Sequence, residues 1–539
     1  MCAQQRYKTT VRILFILSVP FMTLLQMHSA LGDAGYLIDI VLAVMIGIAI
    51  SRKVTEHLWD TFQWSTFLIA AAIAVYLAYD YAWQGNAVFI LNRYQKLFEL
   101  IPFAVSSRRL AAGIMLACYP AIGLLIYFVL TKCLPYVVDF VRSLDGFERN
   151  YLIVMATAAA VVIPFLYLHT TVWYHAVWED MPQLYDVIYT TDSTEIYMTD
   201  SFTKILTGPN DIRQPLFGLF ALPAGLCGKL VAAVFFFVPD SYAIAMGMIQ
   251  QFLLSVSMVM LMRILKLEGT ERIWFLLPAG CSYAYLLHGL LLEQYVIAYF
   301  YVILVLYVYK KSDRLNFAYY GAVSTLLTSG VLFPLISKGR EWKKWLCDRV
   351  KCLIIYAQIV ILCGQLPQFL NMKEEIAGLM NFSGEKVTWT DKWIQFTHFL
   401  SGMFWAPDGV ITVQYGPCYR IAEQAAVSYV GIAILVCALC GFALSYREWI
   451  SKAAVLWLAF SVIVLFAVGW GTAENGLILY ALYFAWAYLI LLYQFLKNVL
   501  RKPALLRAAL CIVALMMAMR NVYELIQIYR FGIGNYPAF

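Results

Sequence analysis

The sequence predicts an all-α fold: a polytopic transmembrane helical bundle of about 13–15 spans. Three observations predict it. Of 539 residues, 63% are hydrophobic and only 13% are charged, against roughly 25% charged in an average soluble domain. A soluble chain so poor in charge could not cover its own surface. Apolar runs long enough to cross about 30 Å of hydrocarbon, which takes about 20 residues, recur along the whole chain. The longest polar stretches between them, 170–214 and 371–421, are too short for a sizeable soluble domain.

Taken in order, spans are expected near 13–31, 36–50, 64–83, 110–131 and 151–169, then near 215–238, 241–262, 273–288, 294–309, 316–336 and 353–370, and last near 422–443, 453–468, 477–496 and 504–519. Basic residues Arg6, Lys8 and Arg12 precede the first run. No A-x-A cleavage pattern follows it, so it reads as an uncleaved span and not as a signal peptide. Residues 86–106 and 340–352 mix apolar residues with Arg93, Lys96, Lys343 and Lys344, and read equally as interfacial amphipathic helices or as loop helices packed on the bundle.

The net charge of +7 does not mark a nucleic-acid binder. Its Lys and Arg lie in short loops between spans, as the positive-inside rule expects. The basic loops after residues 51, 131, 337, 446 and 496 then face the cytoplasm, and 170–214, 371–421 and 469–476 face outside. Strict alternation fails between 215 and 336 unless two of these runs are half-helices. Ser324, Thr325, Thr328, Ser329 and Gly330 suit a broken helix lining a polar cavity. Most of the twelve cysteines sit in apolar runs, where they behave as small hydrophobes. Cys437 and Cys440 form a C-x-x-C inside a span, without the polar context that redox or zinc chemistry needs.

Chemistry is therefore sought in the external stretches. The first carries Glu179, Asp180, Asp186, Asp192, Glu195, Asp200 and Asp211, interleaved with aromatic residues. Most of these acids belong to a solvated loop. One held at the bilayer surface can serve as a general base on a hydroxyl, or hold a divalent cation such as Mg or Mn. A second candidate is the pair His288 and Glu293, the only ionisable acid or base between Arg272 and Lys310 apart from tyrosine and cysteine. A carboxylate at mid-span costs about 2.5–3.5 kcal/mol, so Glu293 is expected to face a polar cavity. A third is Glu474 in the turn Trp470–Gly476, whose glycines permit a tight bend. The stretch 371–421 adds Asp391, Lys392, His398, Asp408 and Arg420 as a substrate-facing cap or a solvated loop.

The order of these features resembles the C-type (GT-C) membrane glycosyltransferases. In that family a span leads into an external loop with a catalytic acid, and an amphipathic or re-entrant stretch follows. Arg213-Gln214-Pro215-Leu216 stands in that place, without the usual His. Glu293 before the aromatic run Tyr295–Tyr309, and Glu474 before the Tyr-rich run 477–493, are similar to the family's later acids. The resemblance covers roughly residues 150–500 and implies four parts: an N-terminal transmembrane extension of about four spans (1–150), a catalytic transmembrane module (151–370), an external loop (371–421) and C-terminal spans (422–539). It implies an inverting sugar transfer from a polyprenyl-phosphate donor to a saccharide, lipid or protein acceptor, on the outer face of a bacterial plasma membrane. Asp192 or Asp180 would be the catalytic base. The pattern Asp192-x-x-Glu195-x-Tyr197 favours Asp192, with Glu293 as a second catalytic acid. Glu195, Arg213, His288, His398, Arg420 and Glu474 would bind substrate. Transport, flipping or polymerisation of lipid-linked saccharides is the alternative. No GxxxxGK[ST] motif is present to drive it with ATP.

Overall fold

The computed structural model describes residues 2–25, 33–83, 107–176, 187–203, 212–309, 312–335, 342–380, 383–413 and 416–538. It is 78% helical, so the all-α bundle holds. The exception among the described residues is one antiparallel hairpin, Gly409–Val413 paired with Pro417–Ile421, inside the second polar stretch.

Seven helices among the described residues are long and apolar enough to cross a membrane. They lie in 116–142, Gly146–His169, Phe217–Val234, Ser241–Ile264, 449–468, 477–499 and Pro503–Asn535. An eighth is the bent pair Glu271–Cys281 and Tyr283–Leu290. The burial pattern is that of a lipid-facing bundle. Leu116, Phe236 and Met519 are exposed, while Gln250, His288, Glu293, Asn521 and Glu524 are buried. Large apolar side chains outside and polar ones inside invert the arrangement of a soluble protein. The chain is a multi-pass membrane protein.

Some of the other apolar segments are shorter or interrupted among the described residues. Tyr295–Val308 and Tyr429–Ser445 are shorter apolar helices, and Ser312–Thr325 stops at a break before the 3-10 segment Leu327–Leu335. That break falls among the serines and threonines expected to interrupt a helix. Residues 342–362 form one continuous helix, so the interfacial segment and the following span are one element up to the turn at Gly364. The stretch 86–106 lies outside the described residues.

Two compact units emerge. One comprises 1–147 and 350–372, the other 148–349 and 373–539. In the first, Arg12 donates to Ser51 at 2.8 Å and Thr23 to the Leu362 carbonyl at 3.2 Å. Asp39 is fully buried there, and neither carboxylate oxygen has a hydrogen-bond partner among the described residues.

The second unit is tied by close helix contacts. A Cβ on Gly441 would lie 2.0 Å from the Leu491 carbonyl oxygen, so glycine lets Tyr429–Ser445 approach Ala481–Val499 backbone to backbone. Glu148 and Arg263 form a two-point ion pair at one end of Gly146–His169. The sequence reads 273–288 as one span, but the chain turns by 65° at Ser282. Pro278 lies before the break, and backbone groups beside it find partners. Tyr283 and Ala284 N–H donate to the Phe404 and Met403 carbonyls at 3.3 and 3.0 Å, and the Asn521 amide donates to the Cys281 carbonyl at 2.7 Å. A broken helix at bilayer depth is tolerated only with such partners.

Candidate functional site

The site lies in the second unit, where segments distant in sequence meet just before the first turns of helices. The first polar stretch is fixed by backbone bonds to the second. Ile188 bridges Tyr419, the Tyr189 N–H donates to the Tyr419 carbonyl at 2.6 Å, and the Tyr419 N–H donates to the Val187 carbonyl at 2.8 Å. Tyr189 takes a left-handed backbone (φ 53°) to make this turn, and its hydroxyl meets that of Tyr283 at 2.6 Å. The short helix Ser193–Met198 follows, with Asp192 at its N-cap. Thr194 pins it to Ala176 by bonds of 2.8 and 3.1 Å.

Asp240 holds the same helix from the other side. It accepts from Tyr174 at 2.8 Å and from Tyr197 at 3.1 Å. Burial first, and then the Asp240 charge, hold the Tyr197 phenol above its ordinary pKa, so it stays a donor. Burial lowers the pKa of His175 beside it, and Asp240 opposes that shift. Asp200 is likewise structural. It pairs with Lys229 at 2.7 Å and accepts from Tyr242 at 2.8 Å. Two acids of this region, Asp200 and Asp240, are thus anchors of the loop.

Glu293 is fully buried, on the turn that links Tyr283–Leu290 to Tyr295–Val308. Gln250 clasps that turn from both sides, donating to the Glu293 carbonyl and accepting from its N–H at 3.4 Å. The carboxylate accepts from the Gln294 N–H at 3.3 Å, at the start of a helix, where the unpaired amides favour negative charge.

Between these segments sit three tyrosines. Tyr295 packs against Tyr483 and Tyr480, with ring centroids 5.0 and 6.3 Å apart, and against His288 at 5.3 Å. The charges of Asp192 and Glu293 both act on Tyr295. Those of Glu293, Arg213 and Asp192 act on Tyr483, and those of Arg213, Asp192 and Glu474 on Tyr480. Of the residues expected from sequence, His288 packs on this aromatic cluster, and Glu293 stands two residues before Tyr295. The Arg213 carbonyl accepts from the Leu327 N–H at 2.7 Å, just past the break in the Ser312–Leu335 segment.

The turn 469–476 closes the cluster. Gly469, Gly471 and Asn475 all have positive φ, as a tight turn there requires. Trp470 donates its indole N–H to the Tyr480 hydroxyl at 2.9 Å, and Gln395 donates to the Thr472 carbonyl at 3.2 Å. Ser383 bridges Trp470, joining the second polar stretch to this turn. Glu474 itself is exposed.

Other expected residues take different places. His288 is buried, and its two nitrogens face the carbonyls of Ala284 at 2.9 Å and Leu479 at 3.1 Å. It lies between its own helix and the Leu477–Tyr480 turn. His398 bonds the Ala426 carbonyl at 2.9 Å and fixes the approach to Tyr429–Ser445. Arg420 is on the hairpin opposite Val410, and its Nη1 is buried without a hydrogen-bond partner among the described residues. Glu195 lies one turn along the short helix from Asp192. Asp180, with Glu179, Asp186 and Asp211, lies outside the described residues.

Among the described residues no three His, Cys, Asp or Glu side chains form a metal-binding group.

Sequence reasoning missed Tyr295, Tyr480, Tyr483 and Gln250.

No family model matches the chain, and no curated protein or solved structure matches it. Fold and site therefore define the class by themselves. The chain is a multi-pass membrane protein whose polar centre is built at helix ends and lined by tyrosines.

Proposed function

We propose that the protein is a membrane glycosyltransferase of the GT-C kind, acting on the outer face of a bacterial plasma membrane. It moves a sugar from a polyprenyl-phosphate donor to a saccharide, lipid or protein acceptor. The observation that carries this reading is that the loop bearing Asp192 is tied, through the Tyr189–Tyr283 hydroxyl contact at 2.6 Å, to the helix that leads into the buried Glu293. Two carboxylates and a guanidinium beside a bilayer are the groups such a transfer needs.

In this reading Asp192, which is partly accessible, takes the proton of the acceptor hydroxyl. The acceptor oxygen bonds to the anomeric carbon as the bond from that carbon to the phosphate oxygen breaks, with inversion. The phosphate leaves with the bonding pair, and Arg213 offsets its charge. Glu293 accepts a sugar hydroxyl. An apolar groove of about 350 Å³, lined by Phe165, Leu166, Trp173, Leu290, Val522 and Ile526 among others, suits an isoprenoid tail. Leu290 borders it three residues before Glu293.

A second reading, transport of lipid-linked saccharides, draws on Asp39. A buried carboxylate without a partner is the usual mark of an ion-coupled carrier. Transfer of radiolabelled sugar from polyprenyl-phosphoglucose to lipid or saccharide acceptors by the purified protein, against loss in the Asp39→Asn and Asp192→Asn variants, separates the two.

A further inference from the structure

We propose that a pocket in the first unit, between helix Asp33–Asp60 and helix 116–142, seats the headgroup of a zwitterionic phospholipid whose ammonium carries N–H groups, the phosphoethanolamine class. The site lies outside the unit that holds the candidate active site and is independent of the glycosyltransferase reading.

The first observation is the cavity, with a volume of about 410 Å³. Ala49, Arg52, Lys53, Glu56 and Asp60 line it from the first helix. They recur turn by turn and so form a single face. Phe128 and Lys132, one turn apart, line it from the second. The wall between the helices is fixed by His57, which bonds Thr131 at 2.8 Å and meets the Phe128 ring edge-on at 5.0 Å.

The second observation is the set of charges. Arg52 and Glu56 are paired at 2.7 Å on the exposed rim. Lys53, Lys132 and Asp60 are exposed and line the same cavity, yet none of the three makes a hydrogen bond or an ion pair among the described residues. Two cations and a carboxylate thus share one pocket without meeting. A phosphate against the lysines and an ammonium against Asp60 would satisfy all three. A purely anionic head would set its charge against Asp60, the like-charge contact by which sites reject wrong partners. A trimethylammonium has no N–H to donate to the carboxylate.

The third observation is the level of the pocket. The exposed apolar residues Val41, Met45 and Ile48 end just before Arg52, and Val129 is exposed close to Lys132. Trp59, Phe62 and Trp64 are exposed on the far side. Basic and aromatic residues at the end of an apolar run mark the membrane interface, where lipid headgroups lie. The occupant is therefore a bilayer lipid, its chains along the apolar stripe, and not a soluble phosphate ester.

The test is native mass spectrometry of the purified, delipidated full-length chain with three lipids that share the same acyl chains: phosphatidylethanolamine, phosphatidylcholine and phosphatidylglycerol. Phosphatidylethanolamine should bind at least about fivefold more tightly than either of the others. Lys53→Ala with Lys132→Ala should weaken it about 10- to 30-fold, since each lysine beside lipid phosphates is worth about fivefold. Asp60→Asn should erase the preference over phosphatidylglycerol. Equal binding of the three lipids by the wild type overturns the inference, and so does tighter binding of phosphatidylglycerol. A folded Asp60→Asn variant that keeps the wild-type preference overturns it as well, as does a folded double-lysine variant that binds phosphatidylethanolamine like the wild type. Should a variant not fold, the wild-type comparison decides alone.

Discussion

Tyr189, from the first polar stretch, and Tyr283, at the start of the helix that leads into Glu293, meet hydroxyl to hydroxyl at 2.6 Å. Nothing in the local sequence around either residue requires this. It follows from two anchoring systems: the backbone bonds of Ile188 and Tyr189 to Tyr419, and the clasp of Gln250 on the Glu293 turn.

The first expectation concerns sidedness. The stretches 187–203 and 383–421 and the turn 469–476 are hydrogen-bonded to one another, so they share one face of the membrane. In a cysteine-free background, single cysteines at the exposed positions Met198, Glu385 and Glu474 should all react with an impermeant maleimide from the same side. Labelling of any one from the opposite side would dismantle the site.

Much of this was legible in the sequence. The acids and glycines of 170–214 and 469–476 marked polar loops, and the lone Glu293 between apolar runs demanded a polar neighbour, which it has in Gln250. The serines and threonines near 324–330 marked a helix break, and the helix stops at Thr325. The bend at Ser282 was not legible, because the groups that satisfy its backbone, Met403, Phe404 and Asn521, are remote in sequence. His288 looked like a substrate ligand because a histidine in an apolar run carries no sign of which carbonyls it will meet. The tyrosines were hidden for a related reason. In a run such as Tyr295–Val308 every side chain is apolar or aromatic, so periodicity does not separate a ring facing a site from one facing a neighbouring helix.

Stability of the second unit should depend on the Glu148–Arg263 pair. Glu148 is 2% exposed, and Arg263 also meets the Tyr307 hydroxyl at 3.1 Å. Removing one partner of a buried pair strands the other charge and typically costs about 3–5 kcal/mol. Glu148→Ala should lower the melting temperature in detergent markedly, and the double variant Glu148→Ala with Arg263→Met should recover part of the loss. A single variant as stable as wild type would show the pair to be solvated.

Gly441→Ala should be destabilising by about 1–3 kcal/mol, because the added methyl would sit 2.0 Å from the Leu491 carbonyl and force the two helices apart. Gly113→Ala, where a Cβ meets nothing within 4 Å, is the control and should be neutral or slightly stabilising. Melting curves of the two variants check the contrast.

The most direct test of the central claim is sugar transfer by Asp192→Asn. Asn keeps the size of the side chain but cannot take a proton at neutral pH, and loss of a general base costs about 10²–10⁴-fold in rate. With purified protein, a polyprenyl-phosphate sugar and an acceptor, the variant should retain the wild-type melting curve and lose transfer by that factor. Asp180→Asn is run beside it. Loss in Asp180→Asn with full activity in Asp192→Asn would move the base to the other acid, and full activity in both variants would contradict the glycosyltransferase account.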